Sequence, residues 1–281
     1  MTVAQEVLSL LDRAAPCLGP LRVRRLHLPP PRAAYSLTGE FCALELDNGA
    51  LGLSYVLLDG MLARLTASTE VRALEGADAW AVARGYADDS AVRRTVGFAA
   101  VNALSRSLFD RAQFAPDASA DSIGLLQPQP GDHVGMIGYF DRLIPRVVGA
   151  GARLTVVELR ADLAGARDGY RVTLDAAELA TCNKILSTST LLLNDTLDRM
   201  LAACTGARTF AMVGPGAGCL PDPLFARGVS LLGGTWIDDA PSFCVALVAG
   251  ESWEQHAHKC ALRREDYPGF EVLLARASAG A

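Results

Sequence analysis

The chain has 281 residues, a formal net charge of −5, seven cysteines and 51% hydrophobic residues. That length accommodates two ordinary domains, yet no uncharged apolar run approaches the roughly 20 residues of a membrane span. The acidic balance, without a basic stripe or an RNA-reading aromatic motif, argues against nucleic-acid partners. Scattered cysteines with no CxxC pair argue for reduced thiols and a cytoplasmic setting.

Met1 to Ala15 reads as an amphipathic helix, with Val7, Leu8, Leu10 and Leu11 interrupted by Glu6, Asp12 and Arg13. It lacks a basic n-region and so does not read as a signal peptide. Leu21 to Leu28 has strand-like alternation, and Pro29-Pro-Pro31 then breaks it. Two further strands, Phe41 to Leu46 and Leu51 to Leu57, flank Asp47-Asn-Gly49, a hairpin signal because Asn and Gly tolerate positive φ. Helices are expected over Thr69–Arg84 and Ser90–Phe109, the second rich in small residues (Gly97, Ala99, Ala100, Ala103) that permit close packing. These elements form an α+β unit over residues 1–112, followed by a Pro-containing connector over 113–130 with a short strand or turn near Ile123–Leu126.

From Asp132 strands alternate with helices. The expected strands are His133–Ile137, Leu154–Leu159, Lys184–Thr188, Thr209–Val213 and Val229–Leu232. The expected helices are Asp141–Val148, Asp175–Thr181, Asn194–Cys204, Pro223–Arg227 and Pro241–Val248, with a loop and a short helix near Phe270–Ala275 closing the chain. Alternating β and α units imply a parallel sheet covered on both faces, a Rossmann-like domain over 131–281.

The strand ends carry the chemistry. In open α/β sheets, ligands bind at the carboxyl ends of the strands. Lys184-Ile-Leu ends in four hydroxyl residues, Ser187 to Thr190, with Asn194 and Thr196 following. Gly138-Tyr-Phe140 closes the first strand of this half, where Gly138 lets backbone approach a ligand. Glu158 ends the next strand, near the place where dinucleotide-binding folds hold a ribose diol. The G-x-G-x-x-G fingerprint is absent, and a surface ion pair of Glu158 with Arg160 or Arg167 is the competing reading. Gly214-Pro215-Gly-Ala-Gly218 and Gly233-Gly234-Thr235 close two more strands with small residues and exposed amides. In the first unit, Asn102 interrupts an apolar helix face and either sits in a core network or reaches toward the crevice.

His256-Ala-His258-Lys-Cys260 places imidazole, imidazole and thiol at alternate positions, which share one side if extended and suit zinc or copper. His27 and His133 are isolated in sequence and read as structural. Nothing near Cys182 or Cys219 argues for a lowered thiol pKa.

As a set, Gly138-Tyr-Phe140, Val157-Glu158, Ser187-Thr-Ser-Thr-Leu-Leu-Leu-Asn194 with Thr196, Val213-Gly-Pro215 and Gly233-Gly-Thr235 resemble the bacterial and archaeal family named "putative heavy-metal chelation". Thr95-Val-Gly-Phe-Ala-Ala-Val-Asn-Ala103 resembles the domain that precedes it in that family, whose fold is similar to the N-terminal domain of enolase. The resemblance implies an enolase-N-terminal-like domain, a Rossmann-like domain and a shared pocket between them. It implies no enolase reaction, since the metal-binding barrel is missing. The pocket motifs offer oxygen-type chemistry, which suits a polar metabolite or a metal–ligand complex better than a bare heavy-metal ion.

The leading expectation is an interdomain crevice binding a small polar ligand, a metal chelate or its precursor. Glu158 would accept hydrogen bonds or act as a base. Thr188, Ser189, Thr190 and Asn194 would orient the ligand, Gly138, Gly214 and Pro215 would supply backbone contacts, and Asn102 would close the site, with Tyr139, Phe140, Gly234 and Thr235 lining it. Two rivals stand beside it: an enzyme using a nucleotide-like cofactor such as S-adenosylmethionine, and direct sequestration of a transition-metal ion by His256, His258 and Cys260. Catalysis and plain binding both stay open, as does a homo-oligomer.

Overall fold

The computed structural model describes residues 1–31, 40–119, 121, 123, 125–194 and 196–279. The first helix, α1 (Val3–Leu18), starts on a capping box in which the Thr2 hydroxyl accepts from the Gln5 amide and the Gln5 side chain from the Thr2 amide. Its buried stripe, Val3, Val7, Leu11 and Ala14, recurs at helical spacing and faces the core. Strands β1 (Val23–His27), β2 (Phe41–Leu46) and β3 (Leu51–Tyr55) form an antiparallel sheet in chain order. The hairpin between β2 and β3 closes where expected, with Asn48 Oδ1 accepting from the Ala50 amide at 3.1 Å.

Helices α2 (Met61–Ala67), α3 (Thr69–Arg72) and α4 (Ala79–Arg84) follow, then α5 (Ala91–Arg111), capped by Ser90. The single helix expected over Thr69–Arg84 is therefore two: Gly76 has φ +78° and Asp78 caps a new start. Helix α5 is the central strut, buried along most of its length against β3. A Cβ on Gly52 would lie 2.1 Å from the Ala99 carbonyl and 2.3 Å from the Ala103 amide. Only glycine allows that strand–helix contact.

The second half builds a nine-stranded sheet. Its strands are β4 (Asp117–Ala118), β5 (His133–Ile137), β6 (Arg153–Val157), β7 (Gly165–Arg167), β8 (Tyr170–Thr173), β9 (Lys184–Thr188), β10 (Thr209–Val213), β11 (Leu231–Ile237) and β12 (Ala257–Arg263). Their order is β4-β12-β11-β10-β9-β5-β6-β8-β7. Neighbours from β11 through β8 pair in parallel, while β12, β4 and β7 add antiparallel edges. The helices are α6 (Ile144–Gly149), α7 (Leu197–Ala203), α8 (Asp222–Phe225), α9 (Ala240–Ala249) and α10 (Phe270–Ala279). The protein is thus a mixed α/β fold with a large, mainly parallel sheet.

Several features depart from the sequence reading, among them β11, which runs through Gly233, Gly234 and Thr235 to Ile237 instead of ending at Leu232. The β7–β8 hairpin was not expected; it turns at Asp168-Gly169, where Gly169 takes φ +78°. Strand β12 pairs along its whole length with β11 where a loop was expected. The helix expected from Asn194 starts at Leu197, because Ser189–Leu193 forms a 3-10 turn capped by the Thr188 hydroxyl. The segment expected as a helix over Asp175–Thr181 is likewise a 3-10 helix, Ala176–Thr181.

Alternate residues of the buried strands serve different cores: Ile185 joins the layer that also holds α1, α5, α7, α8 and α10, whereas Leu186 faces the layer of Met136, Val156 and Ala211. The first layer is continuous from Val3 to Ala277 and takes residues from both halves of the chain. A smaller third cluster joins Phe41, Ala43, Leu51 and Leu53 to Ile237, Phe243, Cys244 and Leu247, so α9 covers the outer face of the small sheet.

Candidate functional site

The chain moves outward from β5 to β6 and β8, then crosses back so that β9 lies on the other side of β5. Strand order therefore reverses between β5 and β9, and the crevice at their carboxyl ends is where open α/β sheets hold ligands. Gly138 sits at this point with φ +92°, its amide donating to the Val157 carbonyl at 2.9 Å. A Cβ there would lie 3.0 Å from the Thr188 methyl, so the glycine brings the two strand ends together. Thr188 Oγ1 accepts from the Thr190 amide at 3.2 Å and lies 3.0 Å from Thr190 Oγ1, while the Ser189 side chain is buried.

Glu158 follows β6 half-buried, its amide bonded to the Thr173 carbonyl at 3.0 Å. The two arginines that could pair with it are otherwise engaged: Arg160 binds Asp162 at 2.6 Å, and Arg167 donates to the carbonyls of Leu163 and Ala166. Tyr139 is exposed and its hydroxyl lies 2.8 Å from that of Tyr170, whereas Phe140 packs on the second core.

Asn102 belongs to a neighbouring arrangement. Its Nδ2 donates to the Leu53 carbonyl at 2.8 Å and to the Gly216 carbonyl at 3.0 Å. Both donors are spent on joining α5 and β3 to the loop after β10. Its Oδ1 is buried without a partner among the described residues. It borders a cavity of about 50 Å³ lined by Asn102, Arg106, Pro215, Gly218, Thr235 and Trp236. That volume suits one or a few waters rather than a metabolite. Arg106 stacks its guanidinium 3.7 Å from the Trp236 ring centre and donates to the Ile237 carbonyl at 3.0 Å.

The two arrangements touch. A Cβ on Gly214, where φ is +149°, would lie 2.2 Å from Ser189 Oγ, and one on Gly234 would lie 2.6 Å from the Ala217 carbonyl. Thus Gly138, Tyr139, Phe140, Glu158, Thr188, Ser189 and Thr190 form one group, and Asn102, Gly214, Pro215, Gly234 and Thr235 form its neighbour. Asn194 stands apart. Its Oδ1 accepts from the Thr196 amide at 3.0 Å, and it lines a separate 350 Å³ hollow with Thr2, Tyr86 and Asp198.

Sequence reasoning missed one pair. Glu40, beside β2, has its carboxyl pKa raised by burial, which the positive charge of Arg142, four residues after Gly138, only partly offsets. Tyr55 at the end of β3 is raised by burial and by Glu40. Glu40, just before β2, is thus within electrostatic reach of Arg142 in the segment after β5. No motif marks it, since Glu40 and Arg142 lie a hundred residues apart in the chain.

The three C-terminal candidate ligands do not assemble. His256 lies in a 3-10 turn before β12, His258 Nδ1 bonds Asp238 at 2.7 Å, and Cys260 is buried in register with Gly234. Among the described residues, the group that brings three ligand atoms within 4.8 Å of one another is His27, Glu45 and Cys244. Burial pushes the thiols of Cys182 and Cys260 up to about 11 and those of Cys42, Cys204, Cys219 and Cys244 up to about 12. None is an activated nucleophile. No helix among the described residues is long and apolar enough to cross a membrane.

Fold and site together define a mixed α/β protein in which the loop at the carboxyl end of β10, in the large, mainly parallel sheet, meets α5 and β3 of the small antiparallel sheet. Residues 121–265 match the family model described as "Putative heavy-metal chelation", and residues 36–105 match a second model with the same description. The first match spans more than half of the chain, which belongs to this family. Two solved structures of family members of unknown function share the fold. The protein from Desulfitobacterium hafniense is 19% identical with a TM-score of 0.66, covering 94% of this chain and 100% of its own. The protein from Pyrococcus horikoshii is 18% identical with a TM-score of 0.65, covering 92% and 99%. No curated protein matches the chain.

Proposed function

We propose that the protein binds a small, oxygen-rich polar ligand, a metal chelate or its organic precursor, at the carboxyl edge of the large sheet. The reading rests on one observation: the reversal of strand order between β5 and β9 coincides with Gly138 lying against Thr188. In this reading residues 131–281 are a Rossmann-like domain, supported by the order β8-β6-β5-β9-β10-β11, equivalent to 3-2-1-4-5-6. Residues 1–112 are an enolase-N-terminal-like domain and 113–130 the connector. Thr188, Thr190 and the Gly138 backbone orient the ligand, Glu158 accepts its hydrogen bonds, and Glu40 from residues 1–112 bounds the crevice together with Arg142.

Native mass spectrometry with elemental analysis, on protein purified without chelators or a metal-affinity tag, tests this. A retained organic mass, with or without metal, that is lost in Glu158→Gln and Thr190→Val supports the reading. Retention unchanged in both variants removes it.

A second reading, a nucleotide-like cofactor such as S-adenosylmethionine, is favoured by Glu158 following β6, the strand beside β5, where a carboxylate holds a ribose diol. It predicts thermal stabilisation by adenosine-containing ligands that Glu158→Gln abolishes.

A further inference from the structure

Strands β1 and β2 and the distant helix α9 bring a borderline, a hard and a soft donor to one place on the outer face of the small sheet. A bulge between Val23 and Arg25 shifts the β1–β2 register, so His27 lies opposite Ala43. A one-residue shift turns a side chain to the other face of a sheet. His27 therefore shares the face of Phe41, Ala43 and Glu45, the face that α9 covers with Phe243, Cys244 and Leu247. His27 Nε2 lies 2.8 Å from Glu45 Oε2, the two side chains being 10% and 16% exposed. The other carboxylate oxygen, Oε1, accepts from Arg24 at 2.7 Å, and Arg24 also donates to the Asp47 carbonyl at 2.6 Å. Arg24 thus fixes the carboxylate so that Oε2 points toward His27 and Cys244.

We propose that His27 Nε2, Glu45 Oε2 and the Cys244 thiolate form a site for a zinc-class divalent cation, with a fourth position open to water or a small ligand. All three donor atoms lie within 4.8 Å of one another. A tetrahedral ion with bonds of 2.0–2.3 Å needs its ligand atoms roughly 3.3–3.8 Å apart, so side-chain rotations are enough to close the site. Imidazole, thiolate and a single carboxylate are the donor types of zinc centres, and the harder ions prefer oxygen alone. Carboxylate and thiolate together cancel the charge of a dication. On binding, the imidazole proton resides on Nδ1, the thiol proton leaves to solvent, and the His27–Glu45 hydrogen bond is exchanged for two bonds to the ion. Arg24 acts as an orienting partner of the ligating carboxylate. The site is separate from the sheet-edge crevice and stands or falls independently of it. It also ties α9 to the two strands it covers, more than 190 residues away in the chain.

The test is a cobalt(II) titration of the full-length protein after exhaustive chelator dialysis, followed by zinc competition. One cobalt per chain is expected, with a near-ultraviolet thiolate-to-cobalt charge-transfer band that zinc displaces. Cys244→Ser should abolish the band, and His27→Gln should weaken binding by at least about 100-fold, since even outer partners of a ligand cost 10–100-fold. Cys260→Ser and Glu158→Gln should leave the band unchanged, which separates this site from the C-terminal cluster and from the crevice. A band that survives Cys244→Ser, or the absence of a stoichiometric band in the parent protein, overturns the proposal. Should Cys244→Ser fail to fold, X-ray absorption on the zinc-loaded parent decides: one sulfur with nitrogen and oxygen neighbours supports the site, and a shell without sulfur refutes it.

Discussion

Replacing Asn102 by alanine tests whether this amide locks the two halves together. Asn102 is 3% exposed, and its side chain donates at 2.8 Å to Leu53 and at 3.0 Å to Gly216, carbonyls from opposite sides of the junction. A typical hydrogen bond contributes about 0.5–1.5 kcal/mol net, and a buried group left unpaired costs about 1–3 kcal/mol. Removing the side chain also enlarges the adjacent cavity while relieving the unpartnered Oδ1. Together these give an expected loss of about 2–4 kcal/mol, or roughly 3–7 °C in Tm for a chain of this size. Asn102→Asp keeps the shape but turns carboxylate oxygen toward two carbonyls, and is expected to be at least as destabilising near neutral pH. Differential scanning calorimetry and urea unfolding on the parent and both variants measure this. If Asn102→Ala lies within about 0.5 kcal/mol of the parent, or Asn102→Asp equals it, the bridge contributes nothing and the reasoning fails.

Other consequences follow from the same geometry. Gly52→Ala would drive a methyl into the Ala99 carbonyl of α5, with an expected cost at or above about 1–3 kcal/mol; unchanged urea unfolding would refute the close contact. Gly138→Ala meets both φ +92° and the Thr188 methyl, so a loss of about 1–3 kcal/mol together with weakened ligand retention is expected by calorimetry and native mass spectrometry. His133 has its pKa lowered by burial and then by Arg153, whose guanidinium lies 2.7 Å from Nδ1. The unfolded chain therefore binds this proton more readily, and its stabilising contribution is full above the unfolded value near 6.5 and declines as pH falls toward the lower folded pKa. Tm should rise between pH 5 and 7 with a slope that His133→Gln reduces; an unchanged slope would exclude the assignment. Asp132 is held below the ordinary carboxylate range chiefly by Lys184 at 2.8 Å, so its contribution is present above about pH 4 and is lost as pH falls through the folded value. Asp132→Asn should flatten that acid limb.

Much of the architecture was legible because local rules and tertiary structure agree. His133–Ile137, Lys184–Thr188 and Thr209–Val213 are apolar runs bounded by turn residues, and each is a strand with those limits. Asp47-Asn-Gly49 closes its hairpin, and Ser90 caps α5. The hydroxyls after β9 and Gly138 after β5 marked strand ends that do meet in space. Where the sequence misled, a competing interaction decided the outcome. The Thr188 hydroxyl captured the Thr190 amide and postponed the next helix to Leu197. Strand β12 formed because β11 offered an edge to pair with, something no local pattern near His256 records.

Sequence by itself determined the strand–helix alternation, the polar ends of β5 and β9 and the small-residue face of α5, because these depend on residue period and on local backbone preference. Tertiary structure alone decided which donors meet. Asn102 became a bridge rather than a ligand contact because Leu53 and Gly216 converge on it. His27 came to face Cys244 because a bulge in β1 turned it outward and α9 packed over that face. Contacts across two hundred residues are set by how elements pack and in which register, and neither quantity is written in the spacing of residues along the chain.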